Sequence, residues 1–84
     1  MSTILVVEDE SVIRVALRRL LERHDYEVSE AGSVQEAEQN HDLASFDLVI
    51  SDLRLPGAPG TDLIQKAGEV PVLITPYRVE TFDA

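Results

Sequence analysis

The chain contains no cysteine, so it can build neither a disulfide framework nor a thiolate metal site, which suits a reducing compartment. Basic residues are scarce: 7 Lys and Arg stand against 16 Asp and Glu, a formal net charge of −9. Phosphate-backbone binding depends on Lys and Arg, so direct nucleic-acid binding by this domain is not expected. Long apolar runs are lacking as well. The longest, Ile4 to Val7, is far short of a membrane span, and MSTILVV has neither the basic start nor the long apolar stretch of a signal peptide. These absences read together as a soluble, cytoplasmic protein with no membrane partner.

What is present is enough for one small unit. At 84 residues the chain cannot fill two cores, and 44% hydrophobic with 27% charged residues is a globular composition, not a disordered one. TILVVEDE opens with an aliphatic run that stops at Glu8 and Asp9, the pattern of a strand buried on both faces. From Ser11 to His24, apolar residues at 13, 16, 17, 20 and 21 follow helical spacing. Arg14, Arg18, Arg19 and Arg23 occupy the other positions of that helix, read as a solvated face or a dock for an acidic partner. YEVSEA is a second strand. SVQE at 33–36 is a capping box for a second helix running to about Asp42, and FDLVIS is a third strand closed by Asp52. Thr61 to Gly68 reads as a short third helix ending on glycine, and PVLIT as a fourth strand. The last nine residues, PYRVETFDA, begin as a loop and start a fourth helix at about Val79. No linker or repeat interrupts residues 1–84, which read as a single domain.

Alternation of strands and helices at these lengths builds parallel βαβ units, an α/β doubly wound sheet. In the flavodoxin-like order 2-1-3-4 all strands end at one edge, with the first and third adjacent where the order reverses. Glu8 and Asp9, Asp52 and Thr75 would meet there. Carboxylates about 5 Å apart repel by roughly 3 kcal/mol per pair at an effective dielectric near 20, so a cation belongs among them. An oxygen-only donor set favours Mg²⁺, which accepts one or two carboxylates and keeps waters or a phosphate oxygen. Glu10 reads as a helix cap or a solvated turn. His24 and His41, at helix ends, read as surface residues and not as ligands.

ILVVEDE, VISDLRLPG and PVLIT together resemble the receiver domain of two-component response regulators, from about Thr3 to Thr75. The resemblance implies a Mg²⁺-dependent phosphoryl transfer to Asp52 from a sensor histidine kinase or a histidine phosphotransfer protein. It further implies Mg²⁺ held by Glu8, Asp9, Asp52 and the backbone carbonyl of Arg54, with Thr75 as the switch hydroxyl. The domain would catalyse at most its own phosphorylation and dephosphorylation, switching a partner or output domain that regulates transcription.

The chain also departs from the family. Pro59 stands where the family carries an acid before its loop glycine, here Gly60. The lysine that the family carries on its fifth strand has no counterpart after Thr75, and Lys66, the only lysine, falls on the third helix. The expectation is a receiver fold whose last strand and helices are missing, with an exposed fourth strand through which copies associate. Two other functions fit the same residues. A Mg²⁺-dependent aspartyl phosphatase would need an acid two residues after Asp52, where this chain has Arg54. A phosphorylation-independent interaction module would leave the retention of Asp9, Asp52 and Thr75 together without a reason.

Overall fold

The computed structural model describes residues 2–75. Four strands, β1 (Thr3–Val7), β2 (Glu27–Ala31), β3 (Leu48–Asp52) and β4 (Val72–Thr75), form one sheet in the order β2-β1-β3-β4, every pair parallel. Between them run α1 (Ser11–Glu22), α2 (Val34–Asn40) and α3 (Asp62–Lys66). The order and connectivity are those expected of the doubly wound sheet. The loop and helix expected after Thr75 lie outside the described residues.

The aliphatic runs form strands because branched side chains fit a pleated surface and both faces of the central pair are covered. Residues 4 to 7 are all buried, and Leu5, Val6 and Val7 are inaccessible to solvent. Alternation then sorts the sheet into two faces. Leu5, Val7, Ala31 and Val49 pack with Val34 and Ala37 of α2, Leu43, Leu63 of α3, and Ala67. Each aliphatic side chain fully buried there contributes about 1.5–3 kcal/mol. Ile4 and Val6 turn to the other face, with Val28, Glu30, Ile50 and Leu73 in register beside them. There α1 lies over β1 and β2.

Among the described residues the two faces are not equally closed. No residue of α1 is fully buried, Leu20 is 47% exposed, and Leu73, on edge strand β4, is 52% exposed.

Local chemistry sets the element ends. Ser33 Oγ accepts from the Glu36 amide at 3.0 Å, as the capping box predicts, while Glu36 Oε1 reaches the Gly32 amide at 3.0 Å, one residue further back than the ordinary box. Helix α2 ends at Asn40, not near Asp42, because Asp42 turns its carboxylate to the Ala44 amide and caps a separate 3₁₀ turn at Leu43–Ser45. Likewise α1 stops at Glu22: Asp25 takes a left-handed conformation (φ 70°), and the Tyr26 amide folds back onto the Leu21 carbonyl.

A candidate acidic site at the carboxyl ends of the central strands

Parallel register brings the ends of β1 and β3 side by side, with Val7 opposite Ser51 and Asp52 opposite Thr75 on β4. The residues just past Val7 therefore meet the end of β3. Glu8, Asp9 and Asp52 each present a carboxylate oxygen within 4.8 Å of the others, the one such cluster of potential metal ligands among the described residues. Glu8 and Asp52 are buried and Asp9 is exposed, so the cluster opens to solvent on one side.

Glu8 and Asp52 are held by backbone. Glu8 donates its amide to the Ala31 carbonyl (3.0 Å), and its Oε2 accepts the Glu10 amide (3.0 Å). Asp52 Oδ1 accepts the amide of Arg54 (3.2 Å), which puts Arg54 against the carboxylate through its N–H. Burial pushes the Glu8 carboxyl above its ordinary range; the Asp9 side chain and the Asp52 charge add to the rise, and the Glu10 amide partly offsets it. The all-oxygen donors, one at the end of β3 and two just past the end of β1, fit a hard divalent ion such as Mg²⁺. Glu10 contributes no side-chain cap: it sits at the N-cap of α1 and gives its amide to Glu8.

Thr75 sits beside the cluster, half-buried, with its hydroxyl donating to the Ser51 carbonyl at 3.3 Å. The Leu53 amide donates to the Thr75 carbonyl, so β4 is laced to the residues flanking Asp52. The glycines of the following loop have two different causes. Gly57 has φ 83°, which L-residues avoid, and Gly60 lies so close beneath β3 that a Cβ there would land on the Asp52 carbonyl oxygen and 2.5 Å from Ser51 Oγ.

Lys66 stays away from this site, paired with Glu38 at 2.6 Å. His41 is not the plain surface residue expected: Nε2 donates to the Glu30 carbonyl at 3.1 Å, and its ring meets Phe46 edge-on. The arginines of α1 divide, against the expectation of one solvated face. Arg14 and Arg18 both turn to Glu30 on β2, which leaves Arg19 and Arg23 exposed. A signal for this existed in the sequence: a carboxylate on the helix-covered face of an inner-pointing strand position needs a cationic partner.

The chain belongs to the response regulator receiver domain family, whose model matches residues 4–80. It is 41% identical over 66 residues to the transcriptional regulatory protein ResD of Bacillus subtilis, covering 79% of this chain and 28% of that protein. It is 36% identical to the KDP operon transcriptional regulatory protein KdpE of Escherichia coli, covering 99% of this chain and 38% of the relative. The chain thus spans well under half the length of these relatives. Among solved structures, it superposes on the response regulator TrrA of Thermotoga maritima, crystallised with Mg²⁺ and BeF, with TM-score 0.78 and 34% identity over 99% of this chain and 76% of that one. The receiver domain of the hybrid histidine kinase CckA gives 0.74 at 32% identity, covering 98% and 93%. Domains of this family are signalling modules of two-component systems that work with histidine kinases and phosphotransfer proteins. Among the described residues, no helix is long and apolar enough to cross a membrane.

Proposed function

We propose that this domain is a phosphorylation-controlled cytoplasmic switch in which Asp52 accepts a phosphoryl group from the phosphohistidine of a partner kinase or phosphotransfer protein. The observation that carries the reading is the convergence of Glu8, Asp9 and Asp52 within 4.8 Å at the end of the sheet. An Asp52 carboxylate oxygen forms the new P–O bond as the P–N bond to the histidine breaks and the imidazole leaves. Transfer of this kind depends on positioning and on charge neutralisation at the phosphoryl oxygens. Glu8, Asp9, Asp52 and the Arg54 carbonyl would hold Mg²⁺, which supplies that neutralisation when bound. Asp52 is fixed for the role by its strand end and by the Arg54 amide. Thr75, one strand over, would donate its hydroxyl to a phosphoryl oxygen and carry the change into the chain that follows.

Incubation with acetyl phosphate and Mg²⁺ tests this on the wild-type chain. The expected product is a hydroxylamine-labile acyl phosphate on the peptide containing Asp52, absent when Mg²⁺ is chelated. A stable modification on a serine, threonine or histidine, or no Mg²⁺-dependent product, would overturn the reading.

Association of two copies through β4 belongs to the same proposal, supported by the edge position of that strand among the described residues and by the exposed Leu73. Sedimentation across a concentration series should show a dimer that Leu73→Lys weakens at least fivefold; equal association of the variant removes β4 from the contact.

A further inference from the structure

The Glu8–Asp9 turn carries two of the three acids, yet the strand ladder ends there. The Glu8 amide makes the last bond of that kind, to Ala31. The Glu8 carbonyl is taken instead by a side chain, Arg14 Nη1, at 2.7 Å. The same guanidinium donates Nε to Glu30 Oε1 at 2.8 Å. One planar fork therefore ties the turn after β1 both to α1 and to β2.

We propose that Arg14 is a positioning residue for the cation site, acting through the peptide plane that joins Glu8 to Asp9. The inference rests on the cation reading above. The carbonyl of Glu8 and the amide of Asp9 belong to one rigid planar group, so a bond that holds the oxygen also sets the direction in which Asp9 leaves it. Asp9, the exposed member of the cluster, owes the aim of its carboxylate to that plane.

Only arginine suits the position. Its rigid fork donates in two fixed directions, whereas the single ammonium of lysine would have to choose between carbonyl and carboxylate or straddle them poorly. Glu30 also answers the electrostatic objection to a cation beside a cation site. Its Oε1 takes Arg14, its Oε2 lies 2.5 Å from Arg18 Nε as a charge pair too poorly aligned for a hydrogen bond, and Arg18 Nη1 donates to Glu22 Oε1 at 3.1 Å. Two guanidiniums face two carboxylates, so the set as a whole is neutral.

This arrangement allows a test by sign. If Arg14 acted only through charge, deleting a cation next to three carboxylates would tighten Mg²⁺ binding; if it positions Asp9, deletion loosens binding. Mg²⁺ titrations of the full chain, followed by amide NMR shifts at Glu8, Asp9 and Asp52, should show affinity falling about tenfold in Arg14→Ala, as is typical when an outer partner of a ligand is lost. Arg14→Lys, which keeps the charge, should lose severalfold, and it decides the matter if the alanine variant does not fold. Undiminished or tighter binding in a folded Arg14 variant overturns the proposal. Asp9→Ala is the control: if the wild type gives no Mg²⁺ response, or this variant responds equally, the cation reading falls and the role of Arg14 falls with it.

Discussion

Asp52→Asn is expected to take no phosphoryl group from acetyl phosphate and, without metal, to melt higher than the wild type. The two effects have one origin. A carboxamide oxygen carries no charge to attack phosphorus, so labelling should vanish entirely. The same neutralisation relieves a buried cluster in which Asp52 is 3% exposed and shares its space with Glu8 and Asp9. Close carboxylates repel by a few kcal/mol per pair at moderate dielectric, part of which the protein already relieves by raising the pKa of Glu8. The expected net gain is about 1 kcal/mol, or roughly 4–8 °C in the melting temperature of a domain of this size. The amide of Arg54 keeps an oxygen acceptor in the variant, so the strand end should not move. Added Mg²⁺ should reverse the ranking by stabilising the wild type and leaving the variant where it is. Thermal melts with and without Mg²⁺, beside mass spectrometry of the acetyl phosphate reaction, read both outcomes. Labelling of the variant would remove Asp52 from its role, and a lower metal-free melt would show that repulsion is not what the cluster stores.

Gly60→Ala should be the most damaging single-methyl change in the loop, costing about 3 kcal/mol or more. Its backbone conformation does not require glycine, since Gly60 is not among the residues with positive φ. The requirement is space. The added methyl meets the Asp52 carbonyl and Ser51 Oγ, both on a strand locked between two neighbours, so α3 would have to back away from the sheet. Gly57 provides the internal comparison, because it has φ 83° and no atom within 4 Å of the place a methyl would take. Gly57→Ala should therefore cost only the conformational penalty, about 1 kcal/mol. Chemical denaturation of both variants gives the ranking directly; equal losses would mean that close packing beneath β3 does not set the stability of this loop.

Much of the fold was readable from local pattern alone. The run from Ile4 to Val7 ends in acids, the spacing of 13, 16, 17, 20 and 21 builds α1, and the Ser33–Glu36 box starts α2. The alternation implied a doubly wound parallel sheet, and the flavodoxin-like order β2-β1-β3-β4 brings Glu8, Asp9 and Asp52 together as expected. What the pattern concealed depends on partners distant in the chain or on space. Arg14 and Arg18 look like any solvated helical face until β2 places Glu30 beneath them, and His41 reads as exposed until its ring finds the Glu30 carbonyl. The prolines and glycines after Asp52 marked a loop, but nothing in their spelling distinguishes a glycine needed for its φ from one needed for its lack of a side chain. Helix ends shifted for a similar reason, as at Asp42, where a short side chain competes successfully with the helix for backbone amides.

The bond between Thr75 and Ser51 sets odds. A neutral hydrogen bond worth about 1 kcal/mol would keep the hydroxyl facing the Ser51 carbonyl in roughly five molecules of six at room temperature. The remaining fraction already has the side chain turned away before anything arrives at Asp52. A phosphoryl oxygen competing for the same proton would then select from a standing minority instead of creating a new conformer, and it would need to outcompete the carbonyl by only a small margin. At 3.3 Å the incumbent bond is long, so the standing minority would be somewhat larger than one in six, and the proposed phosphorylation of Asp52 would enlarge a population that already exists.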